Sequence, residues 1–529
     1  MGKKLLIALA AIVGVVILGA IAFALFFDIN QFRPALAAQL GQTLGRRVEI
    51  GNLKVSWLAG GVAAEDVVIL DDPVFSKEPF VSAKSVSIGV DLMPLVMSRS
   101  LHVESFTLDR PRVVLLRGSN GNWNFSSLAA GQSSSSSGSM GALSVVVQKI
   151  TISGGQVTIG GLDGGRQQRS YDDVDVGVSD LSFTSRFPFK ISAKTPGGGS
   201  INIDGQAGPF NLSDMAETPF SGTVAIAHLD FASTGFIDPR SGIGGVLDFS
   251  GTITSSGTAV ATKGKATVAG LRLMPDASTS KAPIAIDYES SYNTKSESGT
   301  LKHVDVSIGK ASARIAGDYR TSGTTSSVRM SLRGDKMALT ELEGALPALG
   351  VTLPQGATLQ QGTLDLDLAV SGPVDQLTVT GPLTASNVKM TGFDLGEKLG
   401  PIASVAQLAG LQRVGDTLVE SLTGTLKMTP AGTEIDTIKM VAPTVGTLVG
   451  DGTISPQGAL SFAMTVTFNA KPIGIPFKIQ GTTKNPSFSP DMGRVVKNAT
   501  ESLENAAKNP DNIKKAADAL SGLFGKKKP

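Results

Sequence analysis

The chain has 529 residues with Lys+Arg 47 against Asp+Glu 45, and a formal net charge of +2 sets up no broad field for a polyanion, which excludes nucleic acid as a partner. Cys 0 excludes disulfides, zinc–thiolate centres, iron–sulfur clusters and cysteine nucleophiles. Gly 62 and Pro 26 with only 17% charged residues fit many turns between short strands, so the class is mostly β.

Lys3 and Lys4 precede an uninterrupted apolar segment from Leu5 to Phe27. Its roughly 23 residues suffice to cross a hydrocarbon core of about 30 Å as a helix. A secretory leader has a shorter apolar region of about 7–15 residues, so the segment is expected to be an uncleaved anchor. Lys3 and Lys4 before it and Arg33, Arg46 and Arg47 after it leave the orientation open on charge alone.

After Pro34, Leu36, Leu40 and Leu44 recur every fourth residue, which predicts a helix stopped by Gly45. Residues 46–57, 62–70, 81–90, 101–108 and 110–117 alternate as strands. The anchor is followed in order by Thr43-Leu-Gly-Arg-Arg-Val-Glu-Ile50, Leu108-Asp-Arg-Pro-Arg-Val113 and Asn120-Gly-Asn-Trp-Asn124. Over roughly the first 130 residues this arrangement resembles the AsmA family of Gram-negative bacteria. The resemblance implies a single-pass inner-membrane protein with its body in the periplasm, bridging toward the outer membrane and carrying phospholipid. The motif residues themselves read as turn and strand-edge positions with no catalytic role.

Gln132–Ser139 is a solvated Ser-rich linker. From Leu143 to about Ser331 alternating segments are cut by Gly, Ser and Thr. A Gly-Thr start recurs at Gly222, Gly251, Gly299, Gly362, Gly424, Gly446 and Gly452 at irregular intervals, without the fixed period of a solenoid. A short helical patch is expected at 341–350 and a second helical passage at Phe393–Leu411, with Pro401 near a helix start and Ile402, Val405, Leu408 and Ala409 on one stripe. Residues 418–481 look like the related C-terminal β block of AsmA-like proteins.

Two segments carry the candidate site. In Thr363–Val370, Leu364, Leu366, Leu368 and Val370 share one strand face while Asp365 and Asp367 point away. In Leu460–Phe468, Leu460, Phe462, Met464, Val466 and Phe468 form an apolar row about 27 Å long at about 3.4 Å per residue. Such a row needs cover. A second sheet would make a sandwich, whereas a curved sheet could fold around acyl chains. These nine residues are the candidate lipid-groove lining.

In the tail, Met492, Val495, Val496, Ala499, Leu503, Ala506 and Ala507 fall on one helix face, and a second helix is expected after Asn509-Pro510. This amphipathic pair either packs on the sheet or docks at a membrane surface through Leu523, Phe524, Lys526, Lys527 and Lys528.

Chemistry is sparse. His102, His228 and His303 lie on separate predicted strands without a carboxylate at ligand spacing. Asp71-Asp72 and Asp172-Asp173 sit by turn signals and read as solvated loops. Gly160–Gly165 lacks an apolar helix behind it to cradle phosphate, and no Gly-x-Ser-x-Gly elbow occurs. Trp57 and Trp123 are too few for a saccharide-stacking platform. No enzyme, metal or cofactor is expected.

The expected architecture is a cytoplasmic stub and transmembrane anchor (1–27), then an AsmA-like N-terminal β domain (28–130), a Ser-rich linker (131–141) and a central β region (142–340). A C-terminal AsmA-like β region with an inserted helix (341–481) and an amphipathic helical tail (482–529) complete it. The body is expected to be an elongated, curved, antiparallel-rich sheet with an apolar groove. The expected partners are phospholipid acyl chains, the inner membrane through residues 5–27, and outer-membrane or envelope proteins. The alternative is a periplasmic scaffold or assembly factor for outer-membrane protein biogenesis, its strands closed on a dry core.

Overall fold

The computed structural model describes residues 28–56, 61–91, 102–118, 123–126, 148–161, 168–405 and 415–507, with short breaks at 183, 212–213, 215–216, 235–236, 238–240, 274, 276, 323–324 and 350. Among the described residues no helix is long and apolar enough to cross a membrane. The predicted span 5–27 lies outside them. The chain divides into two compact units, Met1–Asp238 and Pro239–Pro529, holding 25 strands among the described residues.

Unit 1 starts with a 3-10 turn, Ile29–Phe32, leading into α1 (Arg33–Leu44). Gly45 ends α1 with a left-handed φ of 64°, which a Cβ would disfavour. Strands follow as β1 (Val48–Glu49), β2 (Asn52–Ser56), β3 (Gly61–Leu70), β4 (Pro79–Asp91), β5 (His102–Asp109) and β6 (Arg112–Arg117). After them come β7 (Lys149–Gly161), β8 (Arg169–Ser179), β9 (Phe187–Lys194), β10 (Ser200–Ala207) and β11 (Phe220–Asp230). The predicted strand 46–57 is broken into β1 and β2, which both pair with β3.

β5 and β6 are one line bent at Arg110-Pro111, where Arg110 adopts a φ of 46°. Both lie antiparallel to β4 and parallel to β7. A parallel neighbour requires the chain to travel back before pairing. The Ser-rich segment therefore lies in the connection between two adjacent strands of one sheet. From β7 to β11 every pairing is antiparallel.

Unit 2 is an antiparallel meander in which each strand pairs with the next in sequence. It runs β12 (Gly244–Ser255), β13 (Ala259–Arg272), β14 (Ile284–Asn293), β15 (Ser298–Ile308), β16 (Ala311–Ser322) and β17 (Thr325–Ala338). The predicted patch at 341–350 is α2 (Leu339–Leu342) and a 3-10 turn, Leu346–Leu349. It precedes β18 (Thr358–Pro373) and β19 (Thr378–Thr391). The second helical passage is α3 (Leu395–Lys398) and α4 (Gly400–Val405), and its later residues Leu408 and Ala409 lie outside the described set.

The meander resumes with β20 (Asp416–Thr429), β21 (Gly432–Ala442), β22 (Gly446–Ile454), β23 (Leu460–Phe468), β24 (Lys471–Gly481) and β25 (Pro486–Pro490). The last strand is short and begins and ends on proline, which blunts it against pairing with another chain. The first tail helix is α5 (Met492–Ala507), and the second lies outside the described residues.

Alternation explains why these segments are strands. In β13 Lys263 and Lys265 are exposed while Val268, on the other face, is buried. On the polar face Asp305, Arg314, Arg333 and Asp367 stand opposite one another across β15 to β18. Arg314 pairs with Asp305 at 2.6 Å and Arg333 with Asp367 at 3.1 Å. Exposed pairs of this kind add only about 0–1 kcal/mol each, but they favour one register.

Candidate functional site

Residues paired across neighbouring strands share a face, so register traces what each face carries. In unit 1 one row runs Ala64–Val86–Leu108–Ile152–Val176–Ile191–Ile203–Val224, from β3 to β11. In unit 2 the row Tyr288–Val304–Ile315–Leu332–Leu368 crosses β14 to β18. A second, Met337–Leu364–Ala385–Leu422–Met440–Leu448–Val466–Ile475, crosses β17 to β24. A third leads from Val370 through Val379, Met428 and Ile454 to Leu460. The two predicted stripes, almost a hundred residues apart in sequence, thus lie on one face of one sheet.

The cover differs along that face. Val304, Ile315, Leu332, Leu364, Leu366 and Val370 are half-buried and Leu368 is buried. Leu460 and Phe462 are half-buried, but Met464, Val466 and Phe468 are 3%, 0% and 2% exposed. These three belong to a dry core with Leu395, Leu399, Ile402 and Ala403 of α3 and α4, and with Ile475 and Phe477 of β24. Helices of the same unit cover this end. Among the described residues the largest fully buried side chains lie here, Asn124 apart.

α5 adds to the cover through buried Val495 and through Arg494, whose Nη2 donates to the Met464 and Phe477 carbonyl oxygens at 2.9 and 3.2 Å. Met492 and Val496, on the predicted stripe, are each 50% exposed. Asp491 opens the helix by accepting from the Arg494 backbone N–H at 3.3 Å and its Nε at 3.0 Å. Burial pushes the Asp491 carboxyl up, but the Arg494 hydrogen bonds and Lys478 outweigh it and hold the group below the usual carboxylate range.

Beyond the covered end, Leu460, Phe462, Ile479 and Phe488 line an apolar recess of about 290 Å³ with Pro354 and Pro486. A larger hollow of about 890 Å³ is lined by Ser291, Thr300, Asp318, Arg320 and Arg329 together with Tyr292, Tyr319 and Val328. A twisted sheet has shallow concavities on both faces. The larger one mixes hydroxyl and charged groups with these rings.

Two of the recurring Gly-Thr starts have a shared spatial reason. Gly452 lies directly beneath the Phe462 ring and Gly299 beneath Tyr319, where a Cβ would collide with the ring. Glycine on the inner face lets a large neighbour lie flat across it. Tyr319 also stacks on Tyr292, centroids 5.9 Å apart.

The AsmA family model matches residues 1–369. The chain belongs to the AsmA family. No curated protein and no solved structure matches it. The family match extends past the N-terminal motifs through β17 and into β18, while the segment 418–481 lies beyond it.

In this AsmA-family chain two of the N-terminal motifs meet in a buried polar cluster that the sequence did not announce. Arg46 Nη1 pairs with Asp71 Oδ1 at 3.3 Å, and its Nη2 donates to the Asn124 carbonyl oxygen at 2.7 Å. Asn124 is fully buried. Its Nδ2 donates to Asp71 Oδ2 at 2.7 Å and the Val114 carbonyl at 2.8 Å, and its Oδ1 accepts from the Leu116 N–H at 3.0 Å. The Arg46 and Asp71 side chains are 5% and 1% exposed. Asp71 is therefore no solvated loop residue, because its charge is spent on Arg46 and Asn124. Asp172 and Asp173 are exposed but stand within β8, and Asp173 pairs with Lys194.

The cluster ties the turn after α1 to the end of β3 and the turn after β6, which is a structural role. Among the described residues no group of three or more His, Asp or Glu side chains is placed to hold a metal. Leu523, Phe524, Lys526, Lys527 and Lys528 lie outside the described residues.

Proposed function

We propose that this AsmA-family chain is a bridge-like lipid-transfer protein, anchored in the inner membrane by residues 5–27 with its body in the periplasm, and that it shields phospholipid acyl chains on their way toward the outer membrane. The observation that carries the proposal is the apolar face from β14 to β18, where Val304, Ile315, Leu332 and Leu366 are half-buried and, among the described residues, belong to no buried cluster like the C-terminal one. A face of this kind substitutes for water around hydrocarbon. Each methylene shielded is worth about 0.8 kcal/mol, so a sixteen-carbon chain in water costs on the order of 10 kcal/mol. The work is binding and passage, without covalent chemistry and without a cofactor.

Of the nine candidate lining residues, the half-buried Leu364, Leu366, Val370, Leu460 and Phe462 are proposed as lining, with Leu368 buried beneath them. Met464, Val466 and Phe468 anchor the closed end. A photo-crosslinking residue at Ile315 or Leu366 is expected to capture phospholipid in cells, while one at Arg314 on the opposite face captures none. Absence of lipid adducts at both apolar positions refutes the conduit.

One observation favours the scaffold alternative: the dry core beneath α3, α4 and α5 is what an assembly factor would have throughout. Under that alternative the crosslinks at Ile315 and Leu366 go to protein.

A further inference from the structure

α1 carries a short apolar stripe that stays partly exposed among the described residues of unit 1. Leu36 is 39% and Leu40 36% exposed, one helical turn apart. The adjoining side of the helix is already committed. Ala37, Leu44 and Ile29 pack on Val48, Ile50 and Leu53. Asn30 exchanges two hydrogen bonds with the Leu53 backbone, at 2.8 and 3.3 Å, and Arg33 Nη1 donates to the Gly51 carbonyl at 2.6 Å. These bonds fix the rotation of the helix, so Leu36 and Leu40 cannot turn inward.

What lies against the stripe follows from chain connectivity. The apolar segment ends at Phe27, and Asp28, whose Oδ1 accepts from the Asn30 N–H, is the next residue. If residues 5–27 span the bilayer, α1 begins at its surface. We propose that α1 lies flat in the headgroup layer with Leu36 and Leu40 inserted, so that unit 1 is seated on the membrane in one orientation rather than hanging from a free tether. The proposal rests on residues 5–27 being a span and is independent of whether unit 2 carries lipid.

Helix orientation makes the test sharp. From residue 28 to Leu40 a helix advances about 18 Å. An upright α1 would carry Leu40 beyond a headgroup layer only about 5–8 Å thick, while a flat one keeps Leu36 and Leu40 at equal depth.

The chain has Cys 0, so single cysteines label cleanly. Leu36→Cys, Leu40→Cys and Gln42→Cys, each carrying an environment-sensitive fluorophore, are reconstituted as full-length protein into phosphatidylethanolamine–phosphatidylglycerol liposomes. The expected result is blue-shifted emission at positions 36 and 40, quenched by lipid spin-labelled near the headgroup, and water-like, unquenched emission at 42. An unquenched probe at 40 in protein that floats with the liposomes and resists carbonate extraction overturns the proposal while leaving the anchor standing. Blue-shifted but unquenched emission assigns the stripe to a protein contact and also overturns it. Protein that fails to float shows that residues 5–27 do not span, and the proposal falls with them.

Discussion

Replacing Ile315 by aspartate places a carboxylate in the middle of the row Tyr288–Val304–Ile315–Leu332–Leu368, between Val304 and Leu332 on the adjoining strands. Ile315 is half-buried, so the charge can stay hydrated and the sheet keeps its register. An acyl chain running across the strands must then lift away over one strand spacing of about 4.8 Å, roughly four methylenes. At about 0.8 kcal/mol each, the loss is about 3 kcal/mol. At about 1.4 kcal/mol per tenfold, passage slows by about a hundredfold. The assay is transfer of a fluorescent phospholipid from donor to acceptor liposomes by the full-length protein. Arg314→Ala, on the opposite face, serves as the control with unchanged rate. Wild-type transfer by Ile315→Asp at an unchanged melting temperature refutes the proposed path. Met464→Asp is the wrong probe, because that residue is 3% exposed in the dry core and its charge would unfold the closed end.

Asp71→Ala leaves the Arg46 charge buried without its partner and is expected to cost about 3–5 kcal/mol, read from urea unfolding followed by the fluorescence of Trp123 beside Asn124. Leu399→Ala empties a site that is 0% exposed under α3 and α4 and should cost about 2–5 kcal/mol, seen as faster amide exchange in β23 and β24. The carboxyl of Asp491 is held below its ordinary value of 3.8, so its contribution to seating α5 is complete above that value and lost as pH falls through the lower folded one. Proteolysis of α5 should therefore rise below about pH 4, and Asp491→Ala, losing about 1 kcal/mol of helix capping, should show the raised cleavage already at neutral pH.

Local pattern carried much of the fold. The alternation of Leu460–Phe468 and of Thr363–Val370 marked β23 and the middle of β18, and Gly45 marked the end of α1. Alternation says which side of a strand is apolar, but not what lies against it. The cover over Met464, Val466 and Phe468 comes from α3 and α4, some sixty residues earlier, so it could not be read locally. Asp71 misled for the same reason. An Asp-Asp pair beside a turn usually faces water, and its partners Arg46 and Asn124 are distant in sequence. The glycines of the Gly-Thr starts were visible, but the purpose of Gly452 and Gly299 depended on which ring stood across the ladder, Phe462 and Tyr319.

Unit 2 is laid down in the order in which it is read, each strand bonded to the one made just before it. Its size is therefore adjustable by whole hairpins. Duplicating one inserts two strands, about 10 Å of additional sheet, and restores both chain direction and the inside-outside phase for everything downstream. Inserting a single strand would reverse direction and demand a new connection. Growth in a protein of this design proceeds in even steps, and reach can evolve without redesigning either terminus.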